Sequence, residues 1–123
     1  MIHWYVVGPF ETQDGLLRLK EQSYEPALRA GVHHSPDAAF QSLFSTEEDL
    51  TTAVKTHRVT TMFGGVAFDY DGFGRDTLEI IRRLVEKFDW VVIFYPFDQR
   101  PRSLADLQAD IDRREARGFR ARR

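Results

Sequence analysis

Carboxylates and glycines are concentrated in one short string, from Phe68 to Asp76, which reads FDYDGFGRD. Asp69 and Asp71 follow an apolar run, and Gly72 and Gly74 separate them from a helical pattern. Carboxylates placed between the end of a strand and the start of a helix lie near backbone N–H donors, at the sheet edge where open α/β folds bind ligands. The string therefore predicts an active site, an acidic binding surface or only a helix cap.

The string resembles the first motif of the haloacid-dehalogenase-type phosphatases, an apolar strand followed by Asp-x-Asp-Gly. This resemblance implies Asp69 as the nucleophile, Asp71 as the acid/base and a Mg²⁺ ion bound between them. The chain has Phe73 where that family has Thr or Val, and Tyr95-Pro96 where its second motif has Ser or Thr. Because a later lysine and acidic pair are also missing, the Mg²⁺-dependent phosphatase is an alternative function rather than the first hypothesis.

The same string also has the composition of a surface for a protein partner. Three acids, Asp69, Asp71 and Asp76, would meet a basic cleft on the partner. Tyr70 and Phe73 would be aromatic anchors, since aromatic residues often dominate binding energy at interfaces. No nucleophile elbow or phosphate-binding loop occurs elsewhere in the chain. We therefore expect these five residues to bind a partner, with no catalytic residue, no metal and no cofactor.

Charge is unevenly distributed along the chain. Residues 1–99 carry nine Lys/Arg against fifteen Asp/Glu, whereas residues 100–123 carry eight Arg against four acids. An acidic body opposes broad binding to nucleic acids or anionic membranes and suits a basic protein partner. A second alternative, a nucleic-acid-associated accessory protein, depends on the arginines near the C-terminus: Arg113, Arg114, Arg117, Arg120, Arg122 and Arg123.

Length and composition predict one globular domain. A chain of 123 residues with 42% apolar residues and ten phenylalanines has enough material for an ordinary core. It has no cysteine, which excludes disulfides and thiolate metal sites. The N-terminus lacks the pattern of a secretory signal, and no apolar run reaches the ~18 residues that span a bilayer. We expect a cytoplasmic protein with a domain over residues 1–118 and a frayed basic tail at 119–123.

A strand–helix–strand unit, from about Val66 to Phe97, must position the acidic string. Asp76 and Glu79 have the form of a capping box. The helix that follows has a regular apolar stripe made of Leu78, Ile81, Leu84, Val85 and Phe88. Residues 90–95 are apolar on both faces, as in a strand inside a helix-covered sheet. The connection is long enough for a parallel crossover.

The signals elsewhere are turns and helix caps. Residues 2–7 predict a first strand, and Asp14-Gly15 predicts a hairpin, with residues 15–22 either strand or helix. Residues 36–57 predict a helical stretch broken near Ser45, which starts a capping box. Gly64-Gly65 predicts either a hairpin turn between two short strands or a bulge in one longer strand. Residue 103 is expected to cap a last helix that Gly118 ends.

These observations predict an α/β or α+β fold: a single domain with a small mixed sheet and helices packed on it. In general character the chain resembles bacterial immunity proteins, which are small and acidic and lack catalytic residues. That resemblance implies neutralisation of a cognate toxin by covering its active site. We therefore expect a non-enzymatic domain that binds a basic protein.

Overall fold

Groups of strands are followed by helices along the chain in a computed structural model that describes residues 2–13, 16–19, 36–96 and 98–118. The strands are β1 (Trp4–Gly8), β2 (Phe10–Gln13), β3 (Leu16–Leu19), β4 (Thr60–Met62), β5 (Gly65–Asp69), β6 (Val91–Tyr95) and β7 (Asp98–Arg102). The helices are α1 (Pro36–Gln41), α2 (Glu47–His57), α3 (Arg75–Phe88) and α4 (Leu104–Ala116), with one 3₁₀ turn at Tyr70–Gly72.

Five strands form one sheet in the order β4-β5-β1-β6-β7. In the central strand, Val6 pairs with Ala67 of β5 on one side and with Ile93 of β6 on the other. Strands β5 and β6 therefore run in the same direction with β1 between them, and α3 connects them. The predicted fold class and the strand–helix–strand unit are confirmed, in the α+β form. The sheet was expected to be mixed, but every pair of neighbouring described strands in it is antiparallel. The two parallel strands, β5 and β6, do not pair with each other because β1 lies between them.

The main core lies between the sheet and the helices. Leu78, Ile81 and Leu84 of α3 are at most 3% exposed and pack in one cluster with Phe68 of β5 and Leu107 of α4. Burying an aliphatic or aromatic side chain of this size contributes about 1.5–3 kcal/mol. The apolar stripe predicted for α3 therefore packs this helix, which follows the acidic string, against the sheet.

A smaller cluster covers the opposite face of the sheet. Val6, Ala67 and Ile93 pack there with Phe10, which begins the β2–β3 hairpin. That hairpin is antiparallel and approaches β6 and β7. Residues 16–19 are a strand, which decides between the two predictions for that segment. The turn residues Asp14-Gly15 and residues 20–22 lie outside the described residues.

The hairpin predicted around Gly64-Gly65 is confirmed, with its turn one residue earlier. Met62 pairs with Gly65, which leaves Phe63 and Gly64 in the turn with φ of 54° and 79°. Positive φ at both central residues is the geometry of the tight turn that matches strand twist. Gly65 is needed for another reason, since a Cβ there would lie 2.6 Å from the carbonyl oxygen of Val7.

The helical stretch over residues 36–57 is broken as predicted, between α1 and α2. The cap of α2 is Thr46 rather than Ser45. Its backbone is extended, and its Oγ1 accepts a hydrogen bond from the backbone N–H of Asp49 at 3.1 Å. An N-cap must precede the first helical residue, and here that residue is Glu47.

The start of α3 also differs from its prediction, by two residues. Gly74 is the N-cap, so Asp76 lies in the first turn of the helix instead of capping it. Thr77, three residues after Gly74, has its Oγ1 3.4 Å from the Gly74 nitrogen. The predicted cap of α4, Ser103, is confirmed. The backbone N–H of Asp106 donates to the Ser103 hydroxyl, and the backbone N–H of Ser103 donates to the Asp106 carboxylate. No helix in the described part of the chain is long and apolar enough to cross a membrane.

Candidate functional site

Asp69 is the last residue of β5 and is only 5% exposed. Its carboxylate accepts hydrogen bonds from two groups of the protein. Its Oδ1 accepts a hydrogen bond from the backbone N–H of Asp71 at 3.0 Å, which closes the 3₁₀ turn. Its Oδ2 accepts one from Nη1 of Arg58 at 3.1 Å, which ties β5 to the residue that follows α2. Both carboxylate oxygens are therefore engaged by the protein itself.

The two aromatic residues predicted as anchors, Tyr70 and Phe73, face inward. Phe73 is 1% exposed, and its ring centre lies 4.7 Å from that of Tyr5 on β1. Tyr70 is half-buried and packs against the main core, and its hydroxyl donates to Oδ1 of Asp110 at 3.1 Å. Phe73, predicted as an anchor, has almost no surface for a partner to contact, because the chain turns into the core after the 3₁₀ turn.

Helix α4 holds this turn from the other side. The buried guanidinium of Arg114 lies 4.4 Å from the centre of the Tyr70 ring, and its Nη1 donates to the carbonyl oxygen of Phe73 at 3.1 Å. Arg114 was expected in a cationic tail, yet it is part of the core. Arg117 is exposed. Arg120, Arg122 and Arg123 lie outside the described residues. Because Arg114 is buried, the arginines in the described part of the tail do not form a continuous cationic strip.

A buried network that the sequence did not indicate joins β1 to α4. Asp110 is 7% exposed and accepts a hydrogen bond from the Tyr5 hydroxyl at 2.7 Å as well as the one from Tyr70. Burial, and then the bond to Asp110, raise the pKa of both tyrosines, so each hydroxyl keeps its proton and donates it. No local signal would find this network, because Tyr5 and Asp110 are 105 residues apart.

Asp71 and Asp76, in contrast, present their side chains to solvent. Neither carboxylate forms a hydrogen bond or ion pair with another residue in the described ranges. The adjacent Arg75 does not neutralise them, because its guanidinium makes a two-pronged bond to Glu115 of α4 at 3.2 and 2.8 Å. We call Asp71 and Asp76 together the acidic turn surface.

His57 lies beneath this surface at the end of α2. It is 8% exposed, and its Nδ1 is 3.0 Å from Oγ1 of Thr77. Burial lowers the pKa of His57, and the charge of Asp76 opposes that shift only in part. The imidazole is therefore neutral near pH 7 and acts as a packing and hydrogen-bonding group.

The phosphatase resemblance does not extend to the geometry. Its motif belongs to an open parallel sheet, and here the neighbours of β5 are both antiparallel to it. The implied nucleophile, Asp69, has both oxygens bound by protein donors. Within the described ranges, no three His, Asp or Glu side chains cluster closely enough to hold a metal ion. The arrangement gives Asp69 the role of a structural acceptor.

Comparison with known proteins adds no assignment: no protein-family model, no curated protein and no solved structure matches the chain.

Proposed function

We propose that this chain is a non-enzymatic binding domain whose acidic turn surface receives a basic protein partner. The observation that carries the proposal is a contrast within one turn. Asp69 is buried with both oxygens bonded, whereas Asp71 and Asp76 hold exposed carboxylates without a partner in the described part of the chain. Asp76 also complements the positive end of α3, but no structural contact explains Asp71.

The turn is well suited to binding because it is rigid. The bond from the Asp71 N–H to Asp69, the buried Phe73 ring and the bond from Arg114 each fix part of it. A surface that is already ordered loses little conformational entropy on association. Rigid support of this kind favours a preformed docking surface over a loop that must fold on binding.

Phe63 is the aromatic anchor that we assign in place of Phe73. It is 56% exposed in the β4–β5 turn, and its ring lies 4.9 Å from that of Tyr95. Its φ of 54° is unusual for a bulky residue, and backbone strain of this kind is concentrated at functional sites.

The finer form of the proposal is a bacterial immunity protein that acts in the cytoplasm. The partner would be a cognate toxin with a basic active-site cleft, and binding would block that cleft by steric and electrostatic occlusion. An acidic surface on a small domain with a mildly acidic body supports this form. Genes for such pairs are adjacent, so the candidate partners are the products of the neighbouring genes.

The test is a calorimetric titration of those products into this protein at about 50 and about 300 mM NaCl. We expect one product to bind with 1:1 stoichiometry and with an affinity that falls as salt rises. The double variant Asp71→Asn/Asp76→Asn should weaken binding at least about tenfold. Asp89→Asn is the control: it removes one negative charge by the same Asp-to-Asn change at the far end of α3, where φ of 53° suits asparagine.

Phe63→Asn tests the anchor without weakening the turn, because asparagine tolerates positive φ better than phenylalanine. It should lower affinity while leaving the free energy of unfolding unchanged or higher. If no neighbouring product binds, the immunity form is wrong. If one binds with equal affinity to the double variant, the acidic turn surface is not the site. Mg²⁺-dependent hydrolysis of phosphate esters that Asp69→Asn abolishes would favour the phosphatase instead.

A further inference from the structure

Strand β4 forms one edge of the five-stranded sheet, and only its inner side is paired. On that side it pairs with β5, with Thr61 opposite Val66. In the described part of the chain, the backbone groups of residues 60–62 make no hydrogen bond beyond this ladder. Thr60 and Thr61 are both exposed. An edge of this kind presents its outward N–H and C=O groups to another strand.

The opposite edge, β7, is protected in the ways that natural sheets protect their edges. Pro101 has no N–H to offer, and Arg100 and Arg102 on either side of it are charged. The pairing of β7 with β6 is interrupted by a shift of register, and the β2–β3 hairpin lies nearby. Around β4, in contrast, residues 59–66 read VTTMFGGV, with no charge and no proline. Only the length of β4, three residues, limits its pairing.

The outward side of β4 is complementary to the same side of a second copy. Two identical strands related by a twofold axis run antiparallel, so the outward N–H groups of each meet the outward C=O groups of the other. Because residues 59–66 carry no charge, no like charges in this segment face each other across the axis. An axis through Thr60 or Thr61 sets that residue opposite its own copy, and threonine pairs between strands are favourable.

We propose that two copies of this chain pair through β4 and join their sheets into one. The other edge of each copy is protected, so the assembly closes as a dimer instead of growing into a fibre. Val54 of α2 is 38% exposed, and its carbonyl accepts a hydrogen bond from the Val59 N–H at 3.0 Å, so it adds apolar surface beside the start of β4. The dimer leaves Phe63 for the basic partner, because its ring packs on Tyr95 of β6, two strands in from β5.

Sedimentation equilibrium of the whole chain between about 10 µM and about 1 mM tests this pairing. A strand pair of this length buries less than the about 1,200 Å² of a stable complex, so we expect a dissociation constant of about 0.1–1 mM. Of Thr60→Lys and Thr61→Lys, the variant at the axis should weaken the dimer at least about tenfold, because two lysines would then meet. Thr52→Lys is the matched control, since Thr52 is exposed on α2 and lines a groove beside Ile80 of α3. It should leave the dissociation constant within about twofold of the wild type.

Amide hydrogen exchange provides a second measurement that needs no variant. In the wild type, at least one N–H of residues 60–62 should exchange about twofold or more slowly at about 1 mM than at about 10 µM. Asp71→Asn/Asp76→Asn should dimerise like the wild type, so this proposal and the proposed function fail separately. A chain that stays monomeric at about 1 mM would overturn the proposal. So would unchanged exchange at residues 60–62, a dimer that neither β4 variant weakens, an equal loss in Thr52→Lys, or growth beyond two copies.

Discussion

Removing the Tyr5 hydroxyl is the most informative test of the link between β1 and α4. The change Tyr5→Phe keeps the ring beside Phe73 and deletes only the donor to Oδ2 of Asp110, a bond of 2.7 Å. Loss of a buried hydrogen bond to a charged acceptor costs about 1.5–3 kcal/mol, and we expect ~2 kcal/mol here. Tyr70→Phe should cost less, about 1 kcal/mol, because its bond is longer, 3.1 Å, and only partly buried.

Urea denaturation followed by circular dichroism measures this loss. With a slope of ~1.5 kcal/mol per M urea, the midpoint of Tyr5→Phe should be ~1.3 M lower than that of the wild type. Tyr95→Phe is the matched control, because it lies on the opposite face of the sheet and its hydroxyl makes no hydrogen bond within the described ranges. A Tyr5→Phe midpoint no lower than that of Tyr95→Phe would refute the reasoning.

Three further experiments test other parts of the structure. Phe73→Ala should cost about 3–5 kcal/mol, whereas Asp71→Asn should change the free energy of unfolding by less than about 0.5 kcal/mol; equal effects would contradict the burial of Phe73. Gly65→Ala should cost about 1–3 kcal/mol because its methyl group would meet the carbonyl of β1, and Gly72→Ala, with nothing within 4 Å, should be close to neutral in the same urea assay. Burial lowers the pKa of His57 from 6.5, so the unfolded chain takes up the proton first and stability should fall as pH drops below that value. His57→Gln should flatten this part of a stability profile between about pH 7.5 and 5.5, and an unaltered profile would contradict the assignment.

The elements that sequence patterns predicted best are those with strong local signals. The stripe on α3 and the apolar run that became β6 each repeat with the period of their structure. The caps and turns of α2, α3 and the β4–β5 hairpin were displaced by one or two residues. For the cap of α2, the adjacent residues Ser45 and Thr46 have similar propensities as caps, and the helix start decides between them. Gly65, for example, is used for a close approach to β1, so the turn moves to Phe63 and Gly64.

The site was less accessible to sequence reasoning, for a physical reason. Residues 69–76 have the composition of an exposed loop, yet Phe73 is buried in the core, and Arg114, 41 positions away, donates to its carbonyl oxygen. The Tyr5–Asp110 bond depends on a contact of the same long-range kind. An antiparallel sheet whose central strand comes first in the chain separates such partners widely in sequence. Only the exposure of Asp71 and Asp76 agrees with what their residue types indicated.

A charge-reversal cycle with the neighbouring-gene product tests the central claim most directly. Asp71→Lys should weaken binding to that partner at least about tenfold, because a lysine would then face its basic cleft. Changing one cleft arginine or lysine of the partner to glutamate should weaken binding to the wild-type chain and restore it with Asp71→Lys. We predict a coupling energy of at least about 1 kcal/mol between the two positions. If no basic position in the cleft couples to Asp71, the acidic turn surface does not receive that partner.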